Sequence, residues 1–106
     1  MISSNLNEET EFHSQNPYAK PIHVDRNGRA LLFALHAKQI IREHNAPSSP
    51  FYIVILKGRG KFAGGDGKEQ TFGPGTLLVF ESGENHSVQA LDELVFVGFL
   101  HGAPAA

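Results

Sequence analysis

Phe72-Gly73-Pro74-Gly75-Thr76-Leu77-Leu78-Val79-Phe80, followed by Glu81-Ser82 and then Gly83-Glu84-Asn85-His86-Ser87-Val88, is the stretch that decides the fold. Proline fixes φ near −65° and glycine accepts positive φ. Pro74-Gly75 therefore suits the two central positions of a type II turn that delivers the chain into a strand running from Thr76 to Phe80.

The same grammar recurs on both sides. Ala30 to Ala37, Phe51 to Leu56 and Leu94 to Leu100 are apolar runs of strand length, separated by Gly, Pro, Asn and Asp. Asn27-Gly28 bounds the first of them, and regular structure is expected to begin near Arg29. Gly64-Gly65-Asp66-Gly67, between Phe62 and Phe72, reads as a hairpin tip. Pro47 and Pro50 keep Ser48-Ser49 out of a helix. No connection between the strands has room for a crossover helix, and parallel pairing needs about a dozen residues or more. The strands must then pair mostly as antiparallel neighbours, which leaves an all-β sandwich or barrel.

A chain of 106 residues, 41% hydrophobic and 19% charged, is long and apolar enough for one domain with a real core. Its formal charge of −2 comes without a basic stripe, so nucleic acid is not an expected partner. No apolar run approaches the roughly 20 residues of a membrane helix, and Met1 to Glu11 is polar and acidic where a signal peptide would be basic and then greasy. No membrane partner and a cytoplasmic location are expected. There is no cysteine, so any metal must be held by nitrogen and oxygen, with six histidines available.

Residues 1–20 read as a polar N-terminal arm and 21–106 as a single domain. Ile2, Leu6, Phe12 and Tyr18 are the arm's isolated apolar residues, of a kind that docks on a neighbouring surface. Phe51 to Leu56 is apolar at every position instead of alternating, so both faces of that strand want cover. A second subunit is the expected cover, and with it a homodimer.

Two segments together resemble the cupin superfamily, and specifically its small, single-domain, RmlC-like members. The second cupin pattern, G-x5-P-x-G-x2-H-x3-N, lands on Gly75, Glu81, Gly83, His86 and Ala90, keeping both glycines and the histidine. The H-x-H-x4-E-x6-G part of the first pattern lands on His44, Ala46, Phe51 and Gly58, where the first histidine and the last glycine match. The first motif is thus degenerate. The resemblance implies an all-β double-stranded β-helix, or jelly roll, whose two motifs face each other so that His44 and His86 meet inside the barrel.

In family members with the full set, three histidines and a glutamate hold a divalent metal, so the resemblance implies a transition metal such as Mn, Fe, Ni, Cu or Zn. With Ala46 and Phe51 in two of those four places, a metal here would be weakly held by His44 and His86. His36, His101 and Gln39 are the candidate additional ligands. Ala46, Phe51, Ile53 and Val88 are the expected lining of the pocket, which becomes a partly apolar cavity suited to a small organic ligand. Glu81 sits at a turn beside the pocket mouth and reads as solvated. The catalytic residues and reaction are not readable, because the fold does not select a function. A metal-dependent enzyme of the oxygenase or isomerase class and a metal-free binding or sensing module both remain open. Gly58-Arg59-Gly60-Lys61-Phe62-Ala63 mimics a dinucleotide loop, but no helix follows it to receive a pyrophosphate.

Overall fold

The computed structural model describes residues 1–102; the last four residues of the expected 21–106 domain lie outside them. The described residues form a short helix, α1 (Leu6–Glu9), and the strands β1 (Tyr18–Asp25), β2 (Gly28–Leu35), β3 (Ile40–His44), β4 (Phe51–Lys57), β5 (Gly60–Ala63), β6 (Glu69–Phe72), β7 (Leu77–Phe80), β8 (His86–Ala90) and β9 (Leu94–His101). One sheet has the order β1-β2-β9-β4-β7 and the other β3-β8-β5-β6. Every pairing is antiparallel, and the two sheets face each other as the jelly roll requires.

Pleating decides which side chains meet. Phe51, Ile53 and Ile55 of β4 are buried while Tyr52 and Val54 between them are half-buried on the outer face. On β9 the inward set includes Leu94, Phe96 and Leu100, which join Leu35, Ile53, Ile55, Phe62 and Val88 in the core between the sheets. Ile53, Ile55, Leu94 and Phe96 are at most 1% exposed. Each such side chain contributes about 1.5–3 kcal/mol by leaving water.

The turns follow their residues. Thr76 N–H donates to the Gly73 carbonyl (3.3 Å) and Gly75 has φ of 86°, as a type II turn at Pro74-Gly75 demands. Gly67 N–H closes the Gly64–Gly67 hairpin tip on the Gly64 carbonyl, joining β5 to β6. The Gly60–Ala63 segment that mimics a dinucleotide loop is strand β5.

Regular structure begins earlier than Arg29, with α1 and then the strand β1. This strand lies at the sheet edge, carries Pro21, and slips register between Pro21 and His23. Proline is tolerated at an edge, where its missing N–H faces no partner. A half-covered strand also lacks the continuous apolar run that marks its neighbours.

The N-terminal segment packs on its own chain. Asn5 Oδ1 accepts from the N–H groups of Asn7 and Glu8 and so caps α1. Leu6 and Phe12 of the arm, with Ile22 of β1, then cover Leu32, Ala34, Val95 and Val97 on the outer face of the larger sheet, with Val54 beside them. Part of the cover that the β4 run calls for is therefore supplied by the arm.

Candidate functional site

The small sheet supplies two imidazoles at one end of the barrel. His44 ends β3 and His86 opens β8, and they stand directly opposite each other. Their placement depends on an irregularity: Ile41 pairs with Val88, and three residues on β3 then match two on β8. Without that extra residue Glu43 would occupy the inward place; the bulge gives it to His44. The two rings meet edge to face, with centroids 4.3 Å apart and planes at 65°.

Backbone carbonyls fix both tautomers. His44 Nδ1 lies 2.9 Å from the Arg42 carbonyl oxygen and His86 Nδ1 lies 3.1 Å from that of Glu84. A carbonyl only accepts, so each Nδ1 carries the proton, and in the neutral ring each Nε2 presents a lone pair. His86 is 3% exposed, and its ring stacks on Phe80 (4.6 Å) with Phe51 at 5.3 Å. Its Nε2 is buried and has no hydrogen-bond partner. Burial, foremost, pushes its pKa below the ordinary imidazole value, with the His44 ring adding to the effect and Glu84 opposing it.

Glu84 holds the turn that presents His86. Its carboxylate accepts from Gly65 N–H and Glu81 N–H, both at 2.8 Å, and these bonds hold its carboxyl below the usual range. Glu81 is exposed on that turn.

A cavity of about 290 Å³ opens against the two rings. The large sheet lines it with Arg29, Leu31, Phe33, Phe51 and Leu100, and the loop after β3 lines it with Asn45 through Ser49. Ala46 and Phe51 thus line the same cavity as His44 and His86. Ile53 and Val88 are not cavity lining; Ile53 is wholly buried and Val88 is 4% exposed, both in the core between the sheets.

The candidate additional ligands are elsewhere, for reasons of parity. His36 follows Leu35 onto the outer face, where it stacks on Phe12 at 4.8 Å and lies 3.3 Å from Glu93. His101 alternates with the inward Leu100 and stacks on Tyr52 at 5.5 Å. Gln39 accepts from His36 N–H and donates to the His13 carbonyl, tying the arm to the barrel. Among the described residues no group of three or more His, Asp or Glu is disposed to hold a metal. Two imidazoles, with alanine and a packed phenyl ring in the remaining places, do not fit a resident transition-metal centre.

Two cavity residues lie outside the motif reasoning. Ser49 is 3% exposed; its Oγ accepts from His101 N–H and donates to the Pro50 carbonyl, so it braces the rim. Arg29 shares the inward side of β2 with Leu31 and Phe33, and its Nε is buried without a partner. Counting alternate positions back from Phe33 would have found it.

Known proteins share this frame. The chain is similar to an uncharacterized conserved protein with a double-stranded β-helix domain from Klebsiella pneumoniae, with TM-score 0.91 and 15% identity over 100% of this chain and 94% of that one. An RmlC-like cupin protein from Desulfovibrio desulfuricans matches with TM-score 0.87 and 25% identity over 95% and 96%. A cupin superfamily protein from Desulfitobacterium hafniense matches with TM-score 0.80 and 14% identity over 91% and 86%. No curated protein matches the chain. The model of the cupin domain family matches residues 31–98, from within β2 to within β9, and so takes in both histidines and most of the cavity wall. With the jelly roll and both motif histidines in place, this chain belongs to the cupin domain family.

Proposed function

We propose that the barrel mouth binds a small organic molecule that offers a hydroxyl or other donor to His44 and His86 and packs an apolar body against Phe51 and Leu100. The observation that carries this reading is the buried, unpaired Nε2 of His86 in a largely apolar cavity. Leaving such an atom without a partner costs about 1–3 kcal/mol, which a donor on a ligand would recover. A cytoplasmic setting is part of the proposal, on the cysteine-free composition.

Phenol is a suitable probe because it combines a ring with one donor, and toluene is its donor-free control. Phenol should raise the melting temperature of the parent more than toluene does. His86→Phe keeps the aromatic packing and removes the acceptor, so it should erase that preference. A parent indifferent to phenol, or a variant that keeps the preference, would end this reading.

A divalent ion enters as an outcome of a second measurement. Mn, Fe, Ni, Cu or Zn held by two nitrogens alone would be weak and substoichiometric in protein purified without a histidine tag. Stoichiometric metal would instead favour an enzyme of the oxygenase or isomerase class.

We also propose a homodimer. Phe99 and Val79 are both cross-strand partners of Tyr52, and together with Leu77 they form an apolar strip on the outer face. Leu77, Val79 and Phe99 are 60%, 47% and 42% exposed, although Phe99 shares a surface cleft with Ile2, Ser4 and Leu6 of the arm. The same surface on a second copy is the proposed cover.

A further inference from the structure

Arg29 gives the cavity a second unsatisfied end. Its Nε is buried and unpartnered, and among the described residues none of the ion pairs involves it. A guanidinium only donates, and it carries a fixed positive charge. With Nδ1 of His44 and His86 committed to carbonyls, the lone pair that each imidazole offers the cavity is at Nε2. One cavity therefore asks for an anion at one place and a hydrogen-bond donor at another.

The sheet register sets their separation. Arg29 pairs with Leu100, Leu100 with Phe51 and Phe51 with Phe80, in one row across β2, β9, β4 and β7. The Phe51 and Phe80 rings touch His86, so the histidine end lies two to three strand spacings, about 10–14 Å of backbone, from the Arg29 end. Leu100 and Phe51 make the floor between them apolar. An apolar cavity of about 150 Å³ takes a benzene ring; the 290 Å³ here has room for a ring with substituents at both ends.

We infer that the cavity recognises a small hydroxy- or amino-substituted carboxylate with an apolar ring or chain, its carboxylate on Arg29 and its donor on His44 and His86. A single unpaired cation matches a monoanionic, planar carboxylate, which a guanidinium grips through two parallel bonds. This inference rests on the small-molecule reading above and adds the ligand class.

Calorimetric titration with phenol, benzoate, and 3- and 4-hydroxybenzoate separates the two claims. The parent should bind one of the hydroxybenzoates roughly tenfold or more tightly than phenol, the gain of a charge-assisted pair in a partly buried site. Arg29→Met should lose that gain and keep phenol binding, and Arg29→Lys should keep part of it. His86→Phe should lose the advantage of hydroxybenzoate over benzoate. The ligand-free Arg29→Met protein should unfold at a urea midpoint no lower than the parent's, since a buried unpaired donor has been removed. A lower midpoint would mark Arg29 as structural and overturn the inference. Phenol binding with no gain from the carboxylate, or a gain that survives Arg29→Met, would overturn it while leaving the small-molecule reading intact. If none of the four probes binds, both fall together.

Discussion

The ring of Phe51 lies across the backbone of Gly98. A Cβ at position 98 would stand 2.5 Å from Phe51 Cε1 and 2.6 Å from its Cζ, with Phe33 Cε1 at 3.2 Å. The missing side chain on β9 thus leaves the space that the phenyl ring occupies as it lines the cavity and touches His86. Gly98→Ala should drive that ring toward the cavity. Overpacking of this kind costs about 1–3 kcal/mol, read as a lower urea midpoint, and phenol binding should weaken with it. A variant unchanged in both would show that Gly98 does not set the position of Phe51.

Positions 46 and 51 line the cavity with the two histidines, so donors installed there would face His44 and His86. Ala46→His combined with Phe51→Glu should raise affinity for Mn, Ni and Zn by orders of magnitude, because two donors become four. Without metal the double variant should be less stable. Loss of the phenyl packing costs about 3–5 kcal/mol, and a partly buried, unpaired carboxylate adds to it. Metal should then recover part of the melting temperature by binding only the folded state. If the double variant gains no more from metal than the parent does, the cavity does not bring the four positions to a common point.

His86 also ties stability to pH. Burial lowers its folded-state pKa from the ordinary 6.5, against the bias of the Glu84 carboxylate and with that of the His44 ring, while Arg29 is the fixed charge lining the same cavity. Above about pH 6.5 the ring is neutral in both folded and unfolded chains and imposes no penalty. As pH falls below that, the unfolded chain takes up the proton first, and stability declines until pH reaches the lowered folded value. The urea midpoint of the parent should therefore fall as pH drops through and below about 6.5, and His86→Phe should lack that part of the slope. Equal slopes in the two proteins would mean that the ring protonates in place.

How much of this was legible depends on local rules. Pro74-Gly75 and the Gly64–Gly67 tip carried their turns in residue type alone, and the motif spacing brought His44 and His86 together across 42 positions of sequence. The bulge beside His44 had no such mark: strict alternation from Ile41 would have put Glu43 in the cavity. His36 and His101 looked eligible as ligands because the inner and outer faces of a strand cannot be told apart when both are apolar, as in β2 and β9. Arg29, charged and near the start of β2, carries no mark of a cavity residue in the sequence, although the pleat makes it a wall of the cavity. The arm's docking site required the outer face to exist first.

That arm bears on the last expectation, the oligomeric state. Its Leu6 and Phe12, with Ile22 of β1, cover Leu32, Ala34, Val95 and Val97, but Phe99, Val79 and Leu77 around the half-buried Tyr52 stay open on the same sheet. The uncovered strip runs onto β7, an edge strand whose free backbone groups can also meet a partner. Parent protein at micromolar concentration should show twice the chain mass by light scattering. Val79→Lys and Phe99→Lys each place a charge in the strip without touching the core, so either should yield monomer at an unchanged circular dichroism spectrum. Arm substitutions such as Phe12→Ser should instead lower the melting temperature, because they uncover residues that the chain buries on itself. A monomeric parent would remove the proposed dimer, and dimers that persist with lysine at both 79 and 99 would move its interface to another surface.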